Sequence, residues 1–177
     1  ELLWDTPSVM ARLEGTGIVT AETAAEIGLV GPAARASSLN RDIRRDHPFG
    51  IYTMTQIPVE TGRAGDVYAR TLVRWLEMEK SLEFLGEQLA HLPGVATQYP
   101  VGPVAGDTLA VALTEGWRGE ICHVALTDAK GGFERYKITD PSFHNWTGLA
   151  LALRDQQISD FPLCNKSFNL SYCGHDL

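Results

Sequence analysis

The chain has 177 residues, 44% hydrophobic and 21% charged, which is enough to bury a core without disulfide staples and too apolar for disorder. Lys and Arg number 15 against 22 Asp and Glu, a net charge of −7 that excludes a protein holding nucleic acid or anionic lipid by overall surface charge. Its apolar stretches are short: Trp146 to Leu153 is broken by Thr147 and Gly148, far below the roughly 20 residues of a membrane span. Three cysteines without a Cys-x-x-Cys pair point to a reducing compartment. The opening Glu1-Leu-Leu-Trp4 has neither initiator Met nor leader pattern, so residues 1–177 read as one domain taken from a longer protein.

Thr6-Pro7 predicts a helix from Pro7 to Glu14 stopped by Gly15, and Thr20 predicts a second from Ala21 to Ile27 with Gly28 at its left-handed exit. Residues 29 to 64, rich in Gly, Pro, Ser and Arg, read as one extended irregular segment. From Asp66, Tyr68, Leu72, Trp75, Met78, Leu82, Leu85 and Leu89 recur at helical steps, with Arg70, Arg74, Glu77, Lys80, Glu83 and Glu87 among the remaining positions. This predicts a helix of about 25 residues, roughly 37 Å long, whose apolar stripe needs a partner. Pro93 to Gly106 reads as a loop, and Gly119 to Thr127 and Phe133 to Thr139 as two strands around Asp128-Ala-Lys-Gly-Gly132. Asp140-Pro141 opens another helix to about Leu153, and Ile158 to Leu177 reads as a short helical piece and a tail of mixed polarity.

Cys122-His123 and Cys173-Gly174-His175 pair thiols with imidazoles, but neither has the spacing of a structural zinc site, and successive strand residues point to opposite faces. Ser142, His144 and Asp140 are close in sequence; at a helix start they read as a cap and exposed polar residues rather than a nucleophile and base. Gly-x-Ser-x-Gly, Gly-x-x-x-x-Gly-Lys and a dinucleotide glycine fingerprint are all absent. Arg35 and the run Arg41-Asp42-Ile43-Arg44-Arg45-Asp46-His47 read as an ion-pair network that holds the irregular segment, in preference to an anion or nucleic-acid site.

In order along the chain, Leu13-Glu-Gly-Thr-Gly-Ile-Val-Thr20, Gly28-Leu-Val-Gly-Pro-Ala-Ala-Arg-Ala-Ser37, Arg41-Asp-Ile-Arg-Arg-Asp-His-Pro48, Gly65-Asp-Val-Tyr-Ala-Arg70, Arg118-Gly-Glu120 and Asp140-Pro-Ser-Phe143 resemble one family. It is that of the large subunits of group 4 nickel–iron hydrogenases and formate hydrogenlyase, with the related 49 kDa, quinone-site subunit of respiratory complex I. The resemblance covers nearly the whole chain and implies its C-terminal placement in such a subunit. The fold it implies is mainly α with a small β-hairpin element, an α+β fragment of the hydrogenase large-subunit type. It also implies a cytoplasmic oxidoreductase subunit, peripheral to the inner side of the cell membrane through partners, within a complex that handles NAD, hydrogen or quinone.

Hydrogenases of this family hold nickel and iron by two Cys-x-x-Cys pairs, since soft thiolates suit low-valent metals. At the C-terminal pair this chain has Ser171 and Gly174, with Cys173 out of register, so no metal is expected here and no catalytic residue is assigned. The resemblance does match Gly31, Pro32, Arg35 and Ser37, then Arg44, Arg45 and Asp46, to the family's loop motifs. Arg35, Ser37, Arg44, Arg45 and Asp46 are thus candidates for a surface facing a partner's iron–sulfur cluster or a quinone. The partners it implies are an iron–sulfur small subunit and other subunits of a membrane-bound complex, with no nucleic acid; a catalytically inactive docking subunit is the alternative. Part of the Tyr68 to Leu89 stripe is expected to be exposed or hidden in a homodimer.

Overall fold

A computed structural model describes residues 3–94, 98 and 100–174. Helices α1 (Pro7–Leu13), α2 (Ala21–Glu26), α3 (Gly31–Ala36) and α4 (Ile43–Asp46) lead to the long helix α5 (Val67–Ala90). Three strands follow, β1 (Leu109–Gly116), β2 (Gly119–Thr127) and β3 (Phe133–Thr139), and then α6 (Pro141–Ala152) and α7 (Phe161–Phe168). The architecture is α+β, as the motifs imply.

Local chemistry sets most boundaries. Thr20 Oγ1 accepts the Thr23 N–H at 3.2 Å, and Gly28 leaves α2 at φ +69°. One Asp66 carboxylate oxygen caps α5 by accepting the Ala69 N–H at 2.7 Å, and the other accepts the Gly15 N–H at 2.8 Å. A single side chain therefore ties the exit of α1 to the entry of α5. Asp140 caps α6 by accepting the Ser142 N–H at 2.8 Å. The sheet is antiparallel in the order β1-β2-β3, and Asp128 closes the predicted hairpin by accepting the Lys130 and Gly132 N–H groups. The core lies between α1, α2, α3, α6, α7 and the first half of α5, with Leu29, Ala34, Val67, Leu149, Cys164 and Phe168 at its centre.

The structure corrects four readings of the sequence. Residues 29 to 64 are not one irregular segment: α3, α4 and a single 3₁₀ turn, Gly50–Thr53, lie within them. Helices of four to six residues are too short to show an apolar period. Strand β1 lies outside the two predicted strands; it pairs with β2 from Leu109↔Leu126 to Gly116↔Gly119, and its outer positions are mostly exposed. The third concerns Arg70 and Arg74, set among the charges off the stripe of α5: they are buried with Val67, Ala69 and Val73, while the stripe is partly bare as expected, with Leu82 70% and Leu89 65% exposed.

Two arginines draw that first half of α5 inward. Arg70 donates to Ser167 Oγ, to the Gly65 carbonyl and to the Gly17 carbonyl, and its guanidinium lies 4.4 Å from the Phe168 ring centre. Arg74 donates to the carbonyls of Ser167, Phe168 and Trp117. Burial lowers both guanidinium groups to about 10, so they remain cations at neutral pH. Carbonyls left open where helices and loops end become their acceptors. The fourth correction is Ser142, which is fully buried and accepts the Ser171 N–H at 2.9 Å.

Candidate functional site

Helix α3 positions the site. Gly31 enters it at φ +64°, and a Cβ there would fall on the Cα of Gly119 and the carbonyl of Arg118. The backbone of α3 thus abuts the start of β2, a contact only glycine permits on both sides. Asn145 of α6 locks the junction: its Oδ1 accepts the Val30 N–H and its Nδ2 donates to the Val30 and Arg118 carbonyls.

One turn further along, Arg35 is 1% exposed and points between α5 and β1. Its Nε and Nη2 donate to the two oxygens of Glu77 at 2.5 and 3.1 Å, and Nη1 donates to Glu115 Oε1 at 2.9 Å and to the Arg41 carbonyl at 2.8 Å. Asp42 stands 3.5 Å from the same Nη1 and takes both arms of Arg44 at 2.9 and 2.6 Å. The Ile43 N–H reaches Glu115 Oε2 at 3.2 Å. Burial works against the Arg35 cation, but Glu77 and Glu115 hold it above its ordinary value. Burial also works against the Asp42 anion, and the Arg44 hydrogen bond with the nearby Arg35 charge holds it below the usual carboxylate range. The bond to Asp42 raises Arg44. For Glu115 burial wins: its carboxyl lies above the usual range despite Arg35, and the Asp42 charge adds to the rise.

This cluster forms one end of a cavity of about 390 Å³ whose other walls include Met78, Leu82 and Trp117. A second cavity of the same volume lies across Met78 and Trp117, lined by Trp4, Trp75, Leu163 and Arg74 among others. An apolar recess with charged groups gathered at one end suits a molecule with an apolar body and a polar head.

Of the residues singled out in the sequence, Arg35 and Arg44 line the first cavity together. Ser37 is buried elsewhere, donating to the Val19 carbonyl at 2.8 Å. Arg45 and Asp46 pair with each other at 2.8 Å, and Arg45 also binds Asn40; neither lines the cavity, although Asp46 accepts the Asp42 N–H. The expected ion-pair network is present and larger than the Arg run, since Arg41 also reaches Glu120 at 2.7 Å. Sequence reasoning misses Glu77 and Glu115 as members. Glu77 looks like one more surface charge on an amphipathic helix, and the one hint is a lone arginine among the small residues of Ala33-Ala34-Arg35-Ala36.

At the other end of the chain Ser171 Oγ accepts the Gly174 N–H at 2.9 Å and lies 3.5 Å from Cys173 Sγ. A Cβ on Gly174 would stand 2.7 Å from Asp140 Oδ2. Among the described residues no three His, Cys, Asp or Glu gather as a metal site; His175 lies outside them. Cys122 is half-buried, and His123 bonds the Tyr136 hydroxyl at 2.7 Å through Nδ1.

A long helix, a cradle of short ones and a three-stranded sheet meeting at a buried arginine–carboxylate cluster define the class: part of a large subunit of the hydrogenase and complex I type. The chain belongs to the family described as the respiratory-chain NADH dehydrogenase 49 Kd subunit, whose profile matches residues 1–105. It is 34% identical over 165 residues to the carbon monoxide-induced hydrogenase of Rhodospirillum rubrum, covering 92% of this chain and 45% of that one. It is 32% identical to an NADH-quinone oxidoreductase subunit of Herpetosiphon aurantiacus, covering 90% and 45%. Formate hydrogenlyase subunit 5 of Escherichia coli is 30% identical, with 97% and 30% covered. A solved structure of the membrane-bound sulfane sulfur reductase, an archaeal respiratory membrane complex, matches 99% of this chain and 50% of its own at 25% identity, with a TM-score of 0.90. The chain therefore spans half or less of the length of these relatives.

Proposed function

We propose that the chain serves as a large-subunit component of a membrane-associated electron-transfer complex, of hydrogenase or NADH–quinone oxidoreductase kind, that has no nickel–iron centre at its C-terminal ligand positions. The observation that carries this reading is the packing of residues 171 and 174. Ser171 Oγ is occupied by the Gly174 N–H, and the Asp140 carboxylate fills the space a side chain at 174 would need. A hydroxyl is a poor replacement for a thiolate, and glycine offers no donor, so these residues do not fit a thiolate-held nickel and iron pair. A quinone would be the acceptor, with Met78, Leu82 and Trp117 to hold its apolar part and Arg35 and Arg44 to meet its polar part. Electrons would come from an iron–sulfur cluster of a small partner subunit, with this chain on the cytoplasmic side, peripheral to the membrane through its partners. Among the described residues no helix is long and apolar enough to cross a membrane, which supports attachment through partners.

The test is elemental analysis and quinone-analogue binding on the intact purified complex. The reading expects no stoichiometric nickel tied to this chain, and analogue binding weakened by Arg44→Ala but little changed by Arg45→Ala, which lies off the cavity. Stoichiometric nickel would overturn it. Analogue binding indifferent to both variants would favour the docking-subunit alternative, which the internal pairing of the cluster also supports.

A further inference from the structure

The cluster around Arg35 contains two guanidinium groups, Arg35 and Arg44, and three carboxyl groups, Asp42, Glu77 and Glu115. Asp42 and Arg35 are at most 1% exposed, Glu115 5%, Glu77 14% and Arg44 15%, so water does little to screen these charges. Arg74, whose charge acts on Glu77 and Arg35, brings the cluster to three cations and three carboxyls, and the nearby Arg41–Glu120 pair adds one charge of each sign. In such surroundings the carboxyl held least firmly is the one that takes up a proton.

The geometry selects which carboxyl takes it. Asp42 is held by both arms of Arg44 and Glu77 by two nitrogens of Arg35. Glu115 has one bond from Arg35 Nη1, a nitrogen that also serves the Arg41 carbonyl, and one backbone N–H at 3.2 Å. Across the sheet its direct partner is Glu120, a second acidic side chain on the same face. The charged groups around Glu115 are therefore Arg35 from α3, Asp42 and Arg44 from the segment that follows, Glu77 from α5 with Arg74 acting on it from the same helix, and the Arg41–Glu120 pair beside β2. We infer that Glu115 is a proton-exchanging site at the polar end of the first cavity, able to take up a proton and to give it to an occupant or to water at the cavity mouth. Burial of the Glu115 carboxyl, which raises it above the usual range, agrees with this.

The site does not depend on the electron-transfer reading, and its test needs no turnover. Infrared difference spectra of the intact complex, taken across a pH titration, should show a protonated carboxylic acid band that persists well above the ordinary glutamate value of about 4.3. The band should be lost in Glu115→Gln. In Glu77→Gln, which frees two nitrogens of Arg35 and leaves an excess of cations, Glu115 should remain ionised to lower pH and the midpoint should fall. A band unchanged in Glu115→Gln, or a midpoint that does not move in Glu77→Gln, would overturn the inference. If Glu115→Gln fails to assemble, the Glu77→Gln midpoint decides the matter alone.

Discussion

Replacing Arg35 by methionine removes the one side chain that joins α3, α5, β1 and the segment carrying Asp42. Methionine fills much of the same volume without the charge, so the loss is chiefly electrostatic. Two bonds to Glu77, one to Glu115 and one to the Arg41 carbonyl go, and the three carboxyl groups are left with Arg44 and, acting on Glu77, Arg74. Stripping one partner from a buried ion pair costs about 3–5 kcal/mol, a large share of the roughly 5–15 kcal/mol that keeps a domain folded. For a chain of this size that is a drop of about 6–20 °C in melting temperature. The sign with pH follows from the groups left behind. Arg35 opposes the rise that burial causes in Glu115, so without it the Glu115 carboxyl lies further above its unfolded value, and the variant loses stability as pH climbs through that raised value and recovers it on acidification. Urea unfolding followed by tryptophan fluorescence at pH 5 and pH 7, for wild type and Arg35→Met, should show the larger deficit at pH 7. A deficit below about 1 kcal/mol at pH 7, the scale of an exposed pair, would refute the claim that this cluster is a buried and energetically costly one.

Two further outcomes test the fold around the site. Gly31→Ala should cost about 2–4 kcal/mol, combining an unfavourable left-handed φ with a collision against the β2 backbone; Gly28→Ala, with φ +69° and nothing within 4 Å, should cost only about 1–2 kcal/mol. Urea midpoints of the two variants compare them, and equal losses would mean that the α3–β2 contact does not matter. Iodoacetamide followed by peptide mass spectrometry should modify exposed Cys173 first and Cys164 last, because burial shields the Cys164 thiol and raises it above its ordinary value. Modification of Cys164 at the rate of Cys173 would contradict the packing of α7.

Signals carried within a few residues were legible in the chain. Thr20, Asp66 and Asp140 cap helices where their chemistry says they should, Gly28 leaves α2 in the left-handed region, and Asp128 closes its hairpin. The family motifs were legible too, because they are strings of adjacent residues. What the sequence could not settle were choices made between segments far apart. Whether Arg70 and Arg74 were surface charges depended on carbonyls more than 40 residues away or on the far side of a loop, such as Gly17, Ser167 and Trp117. Ser142 looked exposed until Ser171 closed on it. Arg35 finds Glu77 and Glu115 at separations of 42 and 80 residues, and the close backbone contact between Gly31 and Gly119 helps to bring β1 within its reach. Local propensity is encoded by neighbours along the chain. Burial of a charge is decided by which distant groups arrive to meet it, and that is a property of the packed structure alone.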